Sequence, residues 1–203
     1  MITIYNFKRG VRGVRIAWQC EEMGLAWRAA VLDFPTPPEY RAKYPPGSVP
    51  FVEDDDGAAL GESAAIMIYL AQRHGPTPLL PPDAAGLARV LQLTVFSETG
   101  LGGLINPQIA TRFMAPQDQK TGWTQNFCRS RVADGLAYAE SLLGGRDHFV
   151  GDSLTLADIA ISTALSMWVG VLNEPAPPGL AAHRAAMQAR PAYQAALAAF
   201  SAG

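Results

Sequence analysis

The chain has 203 residues, enough for one or two domains, and with 49% of them hydrophobic it can build a sizeable core. Its 16 basic and 18 acidic side chains leave a formal net charge of −2, which excludes the strong basic excess of a nucleic-acid binder. No run reaches about 18 consecutive apolar residues, and the opening residues lack the apolar stretch of a secretory leader, so a soluble, cytoplasmic protein without a nucleic-acid or membrane partner is expected.

Ile2 to Tyr5, β-branched and aromatic, predicts a short first strand. The turn after it, YNFKRGVRGVR from Tyr5 to Arg15, carries the cations Lys8, Arg9, Arg12 and Arg15 and no serine, threonine or cysteine. Val11 to Met23 predicts a helix: Val11, Val14 and Trp18 share one face, and Gly24 ends it. Trp27 to Leu32 predicts a second strand, completing a βαβ unit with a right-handed crossover. Pro37 and Pro38 open a short helix that closes at Lys43, before Pro45, Pro46 and Gly47. Val49 to Glu53 is strand-like, Asp54 to Gly57 is a turn, and Ala58 to Leu60 is a short return strand. A helix then runs from Ser63 to His74. The order is βαβαββα, an α+β domain over residues 1–75.

Gly75 to Pro82 is a proline-rich break, and the linker is placed at residues 76–86. Residues 87–203 read as an all-helical domain. The predicted helices run from Ala84 to Thr99, Gln119 to Leu143, Thr155 to Val171 and Leu180 to Ala202, the last broken near Pro191. Residues 100–117, GLGGLINPQIATRFMAPQ, are too rich in glycine and proline for one straight helix. Cys20 and Cys128 lie far apart inside predicted helices and form no CxxC, so both read as small buried hydrophobes in a reducing compartment.

Three motifs bear on chemistry. Pro50, at the start of a strand, removes one ladder donor. A cis Val49–Pro50 bond would turn the Val49 backbone toward open space, where its N–H and C=O can pair with a peptide-like ligand; a trans bond would be an ordinary strand start. Glu62-Ser63 opens a helix. Ser63 and the free amides there can meet a carboxylate and Glu62 an ammonium, together an α-amino acid end, or Ser63 can simply cap the helix. Thr155 with Asp158 is a capping box, flanked by Leu154 and Ile159 as a hydrophobic staple, and belongs to folding.

In that order and spacing, "VPFVEDDDGAALGESAAIMIYLAQRHG", "RIAWQCEEMGLAW" and "GDSLTLADIAIS" resemble the soluble glutathione transferases, in a bacterial-like form, over nearly the whole chain. The resemblance implies a thioredoxin-like first domain, an all-helical second domain, glutathione as co-substrate without a metal, and a homodimer acting in detoxification. By the same resemblance Val49 and Pro50 hold the cysteinyl backbone of glutathione, and Glu62 and Ser63 its γ-glutamyl end. The family usually has Asn-Pro before the glycine of the cis-proline loop and a basic residue after it. Here Tyr44 precedes Pro45 and Ser48 follows Gly47, so a basic contact to the glycyl carboxylate is missing or comes from elsewhere.

A free thiol with a pKa of about 8.5 must drop about two units to ionise at neutral pH, roughly 2.7 kcal/mol. A helix N-terminus gives ~0.3–1 kcal/mol when exposed and up to ~2 when partly buried, so a hydroxyl or a cation must add the rest. The resemblance points to Tyr5 as donor, with packing against the core as its other reading. Arg12 is the rival. Arg9 is a candidate for a glutathione carboxylate; for both arginines a place on a solvated face is the usual reading, and contact with an anion the alternative. The electrophile pocket is expected between domains, with Phe7, Asn106, Arg112, Phe113 and Trp168 as lining candidates. The expected activity is glutathione transfer to a small hydrophobic electrophile. The alternatives are glutathione-dependent isomerisation, ether cleavage or dehalogenation, or a binding or scaffold protein with little turnover.

Overall fold

The computed structural model describes residues 1–8 and 10–201. They fall into two compact units, Met1–Leu80 together with the segment from Gln188 onward, and Pro81–Met187.

The first unit is a four-stranded mixed sheet with helices. Its elements are β1 (Ile2–Phe7), α1 (Val11–Met23), β2 (Trp27–Leu32), α2 (Pro38–Lys43), β3 (Phe51–Glu53), β4 (Ala59–Gly61) and α3 (Ser63–Arg73). The sheet order is β2-β1-β3-β4, with β1 parallel to β2 and antiparallel to β3, and β3 antiparallel to β4. β1 is central, and Ile2, Thr3, Ile4 and Asn6 are all buried. α1 is buried continuously from Gly13 to Cys20, because β1, α3 and a helix from the chain's far end all pack on it. Gln19 ties it to α3 by donating to the Met67 carbonyl at 2.8 Å. Gly24 ends α1 in the left-handed region at φ 64°, its N–H returning to the last-turn carbonyls.

That far helix is α9 (Pro191–Ala199). Tyr193 packs edge-on to the Trp18 ring at 5.3 Å, Phe200 stacks on Trp27, and Arg190 grips Glu22 through two bonds of 2.6 and 2.9 Å. Continuity of the helical pattern extends the second domain to residue 203. Packing instead groups residues from Gln188 onward with the sheet, because α9 supplies the apolar cover that α1 needs.

The second unit contains α4 (Ala84–Phe96), α5 (Gly103–Met114), α6 (Trp123–Leu143), α7 (Leu156–Leu165) and α8 (Pro178–Gln188), the last reaching just past the unit's end at Met187. The glycine- and proline-rich stretch, expected not to form one straight helix, is helical over most of its length but not regular. A wide π-type segment, Ser97–Gly102, carries α4 directly into α5, and Pro107 lies within α5. Gly103 N–H reaches back to the Glu98 carbonyl, five residues away. This change of register lets the path continue past residues that disfavour a regular α ladder. A second π-type segment, Ser166–Val171, extends α7. Among the described residues no helix is long and apolar enough to cross a membrane.

α7 is buried on every side, and its start is fixed as the capping box requires. Asp158 accepts from the Thr155 N–H and hydroxyl at 2.8 and 2.9 Å, from Phe149 N–H at 2.9 Å, and pairs with His183 at 3.1 Å. Burial pushes the carboxyl up, but the bonds from His183, Phe149 and Thr155 outweigh it and hold Asp158 below the usual carboxylate range.

Candidate functional site

Three segments converge at one end of the sheet in the first unit. β3 and β4 pair in the register Phe51↔Gly61, and β1 and β3 in the register Tyr5↔Phe51. Continued by two residues, these registers set Val49 across from Ser63 and beside Phe7. The end of β1, the start of β3 and the start of α3 therefore share one edge.

The Val49–Pro50 peptide is cis. Among the described residues, no group bonds the Val49 N–H or C=O, so a strand-like pair of backbone groups is open there. Across from it, Glu62 stands as N-cap of α3 at φ 63°, a conformation costing about 1–3 kcal/mol for a non-glycine residue. Its side chain is exposed and makes no capping bond, leaving the first amides of α3 without a side-chain acceptor. Ser63 is 3% exposed, and its Oγ accepts a hydrogen bond from Arg15 of α1. The Arg15 guanidinium, 1% exposed, thus lies at the start of α3.

At the start of α1, Gly10 is the N-cap without a side-chain bond, and the first turn holds no acidic residue. Asn6 is fully buried beneath this turn and donates to the Gly10 carbonyl at 2.7 Å. The fit is close: a Cβ on Gly13 would lie 2.1 Å from the Asn6 side chain, and one on Gly10 2.4 Å away. Arg12 is half-buried in the first turn. Arg9 falls outside the described residues.

Tyr5 is placed differently from what a thiol-activating donor requires. Side chains alternate along a strand, so Asn6 faces α1 and Tyr5 the opposite side. Its hydroxyl donates to Glu53 at 2.5 Å and accepts from Lys43 at 3.1 Å, among the rings of Tyr40 and Phe51. Phe7 packs edge-on against Phe34 at 5.6 Å. Of the candidates in the helical unit, Phe113 is exposed at 63%, Trp168 lines an apolar cavity, and Arg112 lines a separate polar one.

Two cations at the sheet site escape motif reading. Arg15 sits between Val14 and Ile16 and is recognisable only by its place on a helix face that turns out to be buried. Arg41, from α2, lays its guanidinium against Gly47, where a Cβ would meet it at 2.7 Å. It brings a basic group to the cis-proline loop, which carries none of its own.

The described thiols are unsuited to chemistry. Cys20 is buried in α1, and burial, with the nearby charges of Glu21 and Asp54, pushes it up to about 12. Any thiolate formed at this edge must belong to a ligand.

The family model described as "Glutathione S-transferase, N-terminal domain" matches residues 5–78, and its C-terminal counterpart matches residues 105–199. A glutathione S-transferase-like protein of Fusarium, LUC7, is 40% identical over 134 residues, covering 64% of this chain and 59% of its own. A maleylacetoacetate isomerase of Rhizobium meliloti is 29% identical over 167 residues, covering 78% and 77%. Less than two thirds of the length of the first curated relatives is spanned. A glutathione transferase from Burkholderia graminis, solved with two glutathione molecules per subunit, superposes with a TM-score of 0.85 at 25% identity, covering 100% of this chain and 89% of its own.

Proposed function

The chain belongs to the glutathione S-transferase family, and from that premise we propose that its first unit binds glutathione and activates the thiol for attack on an electrophilic small molecule. The observation that carries this reading is the open Val49 backbone pair set by register across from the uncapped Ser63 turn. The cysteinyl backbone of the tripeptide pairs with Val49 as an added strand. Its γ-glutamyl carboxylate meets Ser63 and the first amides of α3, and Glu62 takes the ammonium. Arg41 takes the glycyl carboxylate.

The sulfur then lies at the start of α1. There the Val11 to Gly13 amides and the macrodipole favour the anion, with Arg12 in the same turn and Arg15 behind Ser63. This electrostatic set replaces a hydroxyl donor. The reaction forms a bond from the thiolate to an electrophilic carbon, and the leaving group departs or a proton is taken up. Isomerisation, ether cleavage and dehalogenation share the thiolate step. The same reading carries a homodimer in the cytoplasm.

One observation favours a second reading, a binding protein with little turnover: the opening turn has no serine, threonine or cysteine, and its one hydroxyl, that of Tyr5, is engaged by Glu53 and Lys43. One titration separates the two. The ultraviolet absorbance of the thiolate is followed against pH in the glutathione complex, beside conjugation of a general aromatic electrophile. A bound-thiol pKa lowered by about two units, with conjugation, is the expected result. Binding with an unshifted thiol and no conjugation establishes the second reading, and absence of binding by calorimetry removes both.

A further inference from the structure

The Asn6 side chain, near the end of β1, is fully buried in the first unit. Its Nδ2 donates to the Gly10 carbonyl at 2.7 Å, and among the described residues no group bonds its Oδ1. The amide reaches that carbonyl because Gly10 and Gly13 carry no Cβ: one at either position would fall 2.4 or 2.1 Å from the Asn6 side chain. A buried amide with an unpaired acceptor is a poor device for stability, since the unpaired atom costs about what one neutral hydrogen bond contributes. The effect of the bond falls on the turn.

The Gly10 carbonyl belongs to the peptide that opens α1. Its other partner is the Val14 N–H at a long 3.4 Å, so Asn6 makes the shorter of its two bonds. Gly10 is extended, with φ −70° and ψ 112°, and Val11 is the first helical residue. Across a trans peptide the N–H points opposite to the C=O. A Gly10 carbonyl turned to Asn6 therefore aims the Val11 N–H away from it, out of the helix end. Among the described residues no acceptor bonds that N–H. A hydrogen bond accepted by a carbonyl also polarises its peptide and strengthens the N–H as a donor.

We propose that Asn6 is a positioning residue for the thiolate: by fixing and polarising the Gly10–Val11 peptide, it makes the Val11 N–H the principal hydrogen-bond donor to the glutathione sulfur. The inference rests on glutathione binding by the first unit. It assigns the donor in a turn that has no serine, threonine or cysteine to offer. Asn6 does not itself meet the sulfur; it acts through the backbone.

The test follows the ultraviolet absorbance of the thiolate against pH in the glutathione complexes of the parent protein, Asn6→Leu and Val11→Pro. S-methylglutathione, which has no thiol to ionise, is titrated calorimetrically beside them. Asn6→Leu keeps the number of side-chain heavy atoms and removes the donor. It should raise the bound-thiol pKa by about one unit, a tenfold loss of acidity, and leave the affinity for S-methylglutathione unchanged. In the ligand-free protein the Val11 amide proton should move upfield. A residue that only props the fold would weaken both ligands alike. Val11→Pro deletes the N–H at a half-buried position. Proline suits the first helical residue, and the extended Gly10 suits the residue before it. This variant should raise the thiol pKa at least as far, and adding Asn6→Leu to it should change nothing more. If Asn6→Leu does not fold, Val11→Pro decides alone. A parent complex without a lowered thiol pKa removes the reading of the first unit and this inference with it. A lowered parent value that either variant leaves in place, or equal weakening of both ligands by Asn6→Leu, overturns this inference alone.

Discussion

At the scale of single residues, the proposed glutathione contacts lie at one end of the sheet, while the Tyr5 hydroxyl is engaged on the other face by Glu53 and Lys43. Ser63→Ala should weaken glutathione about tenfold or more by calorimetry, since a hydrogen bond to a charged group is worth ~1.5–3 kcal/mol. Arg41→Gln should weaken it less, the group being exposed. Tyr5→Phe should leave the bound-thiol pKa where it was, because its hydroxyl serves Glu53 and Lys43; a rise toward the free-thiol value would restore Tyr5 as donor. Cys20 should resist iodoacetamide at pH 8 in the folded protein and react only after denaturation, as a thiol pushed up to about 12 requires. Val49, Pro50, Glu62 and Ser63 were legible in the sequence because proline and a helix-opening serine leave marks in residue type. Arg15 was legible only as one cation of the opening turn, without its partner Ser63, and Arg41 was not legible at all. Their importance comes from which neighbour each approaches, and a lone arginine in a helix carries no sign of its partner.

At the scale of elements, close packing makes two further predictions. Alanine ordinarily stabilises a helix interior over glycine by about 1 kcal/mol. At Gly13 the sign should invert, because the added Cβ meets Asn6, and chemical denaturation should show a loss of ~1–3 kcal/mol, as overpacking brings. Asn6→Ala combined with Gly13→Ala should recover part of that loss, a coupling a double-mutant cycle reads directly. Asp158→Asn removes acceptors from the start of α7 and should cost roughly 3 kcal/mol. The folded Asp158 pKa lies below its unfolded value of about 3.9, so its contribution is full above that pH and disappears as pH falls through the depressed value. The variant should therefore lose stability at neutral pH but differ little from the parent in strong acid. Helix α1 and strand β2 were readable to the residue from periodicity and a terminating glycine. The π-type segments were not, since a bond to the fifth residue back has no compositional signature and Gly100, Gly102 and Pro107 argue locally for a break.

At the scale of the whole molecule, the two compact units are not two consecutive stretches of chain. The proline-rich break marked the passage from one to the other. The return of α9 was illegible because its pattern is helical like that of its neighbours, and a face does not announce what it covers. Removing residues from Gln188 onward should expose Trp18 and Trp27, red-shift the intrinsic emission and lower the melting temperature; an unchanged spectrum would count against α9 as cover for α1.

The return of α9 also orders events on the ribosome. The segment that seals α1 is among the last of this sequence to be translated, whereas Pro81–Met187 is uninterrupted and can close as soon as it leaves the exit tunnel. Of the two units, the one that begins first in this sequence is thus the later to be finished. Nascent chains halted before Gln188 should carry a protease-resistant helical body and a sheet that is still digestible.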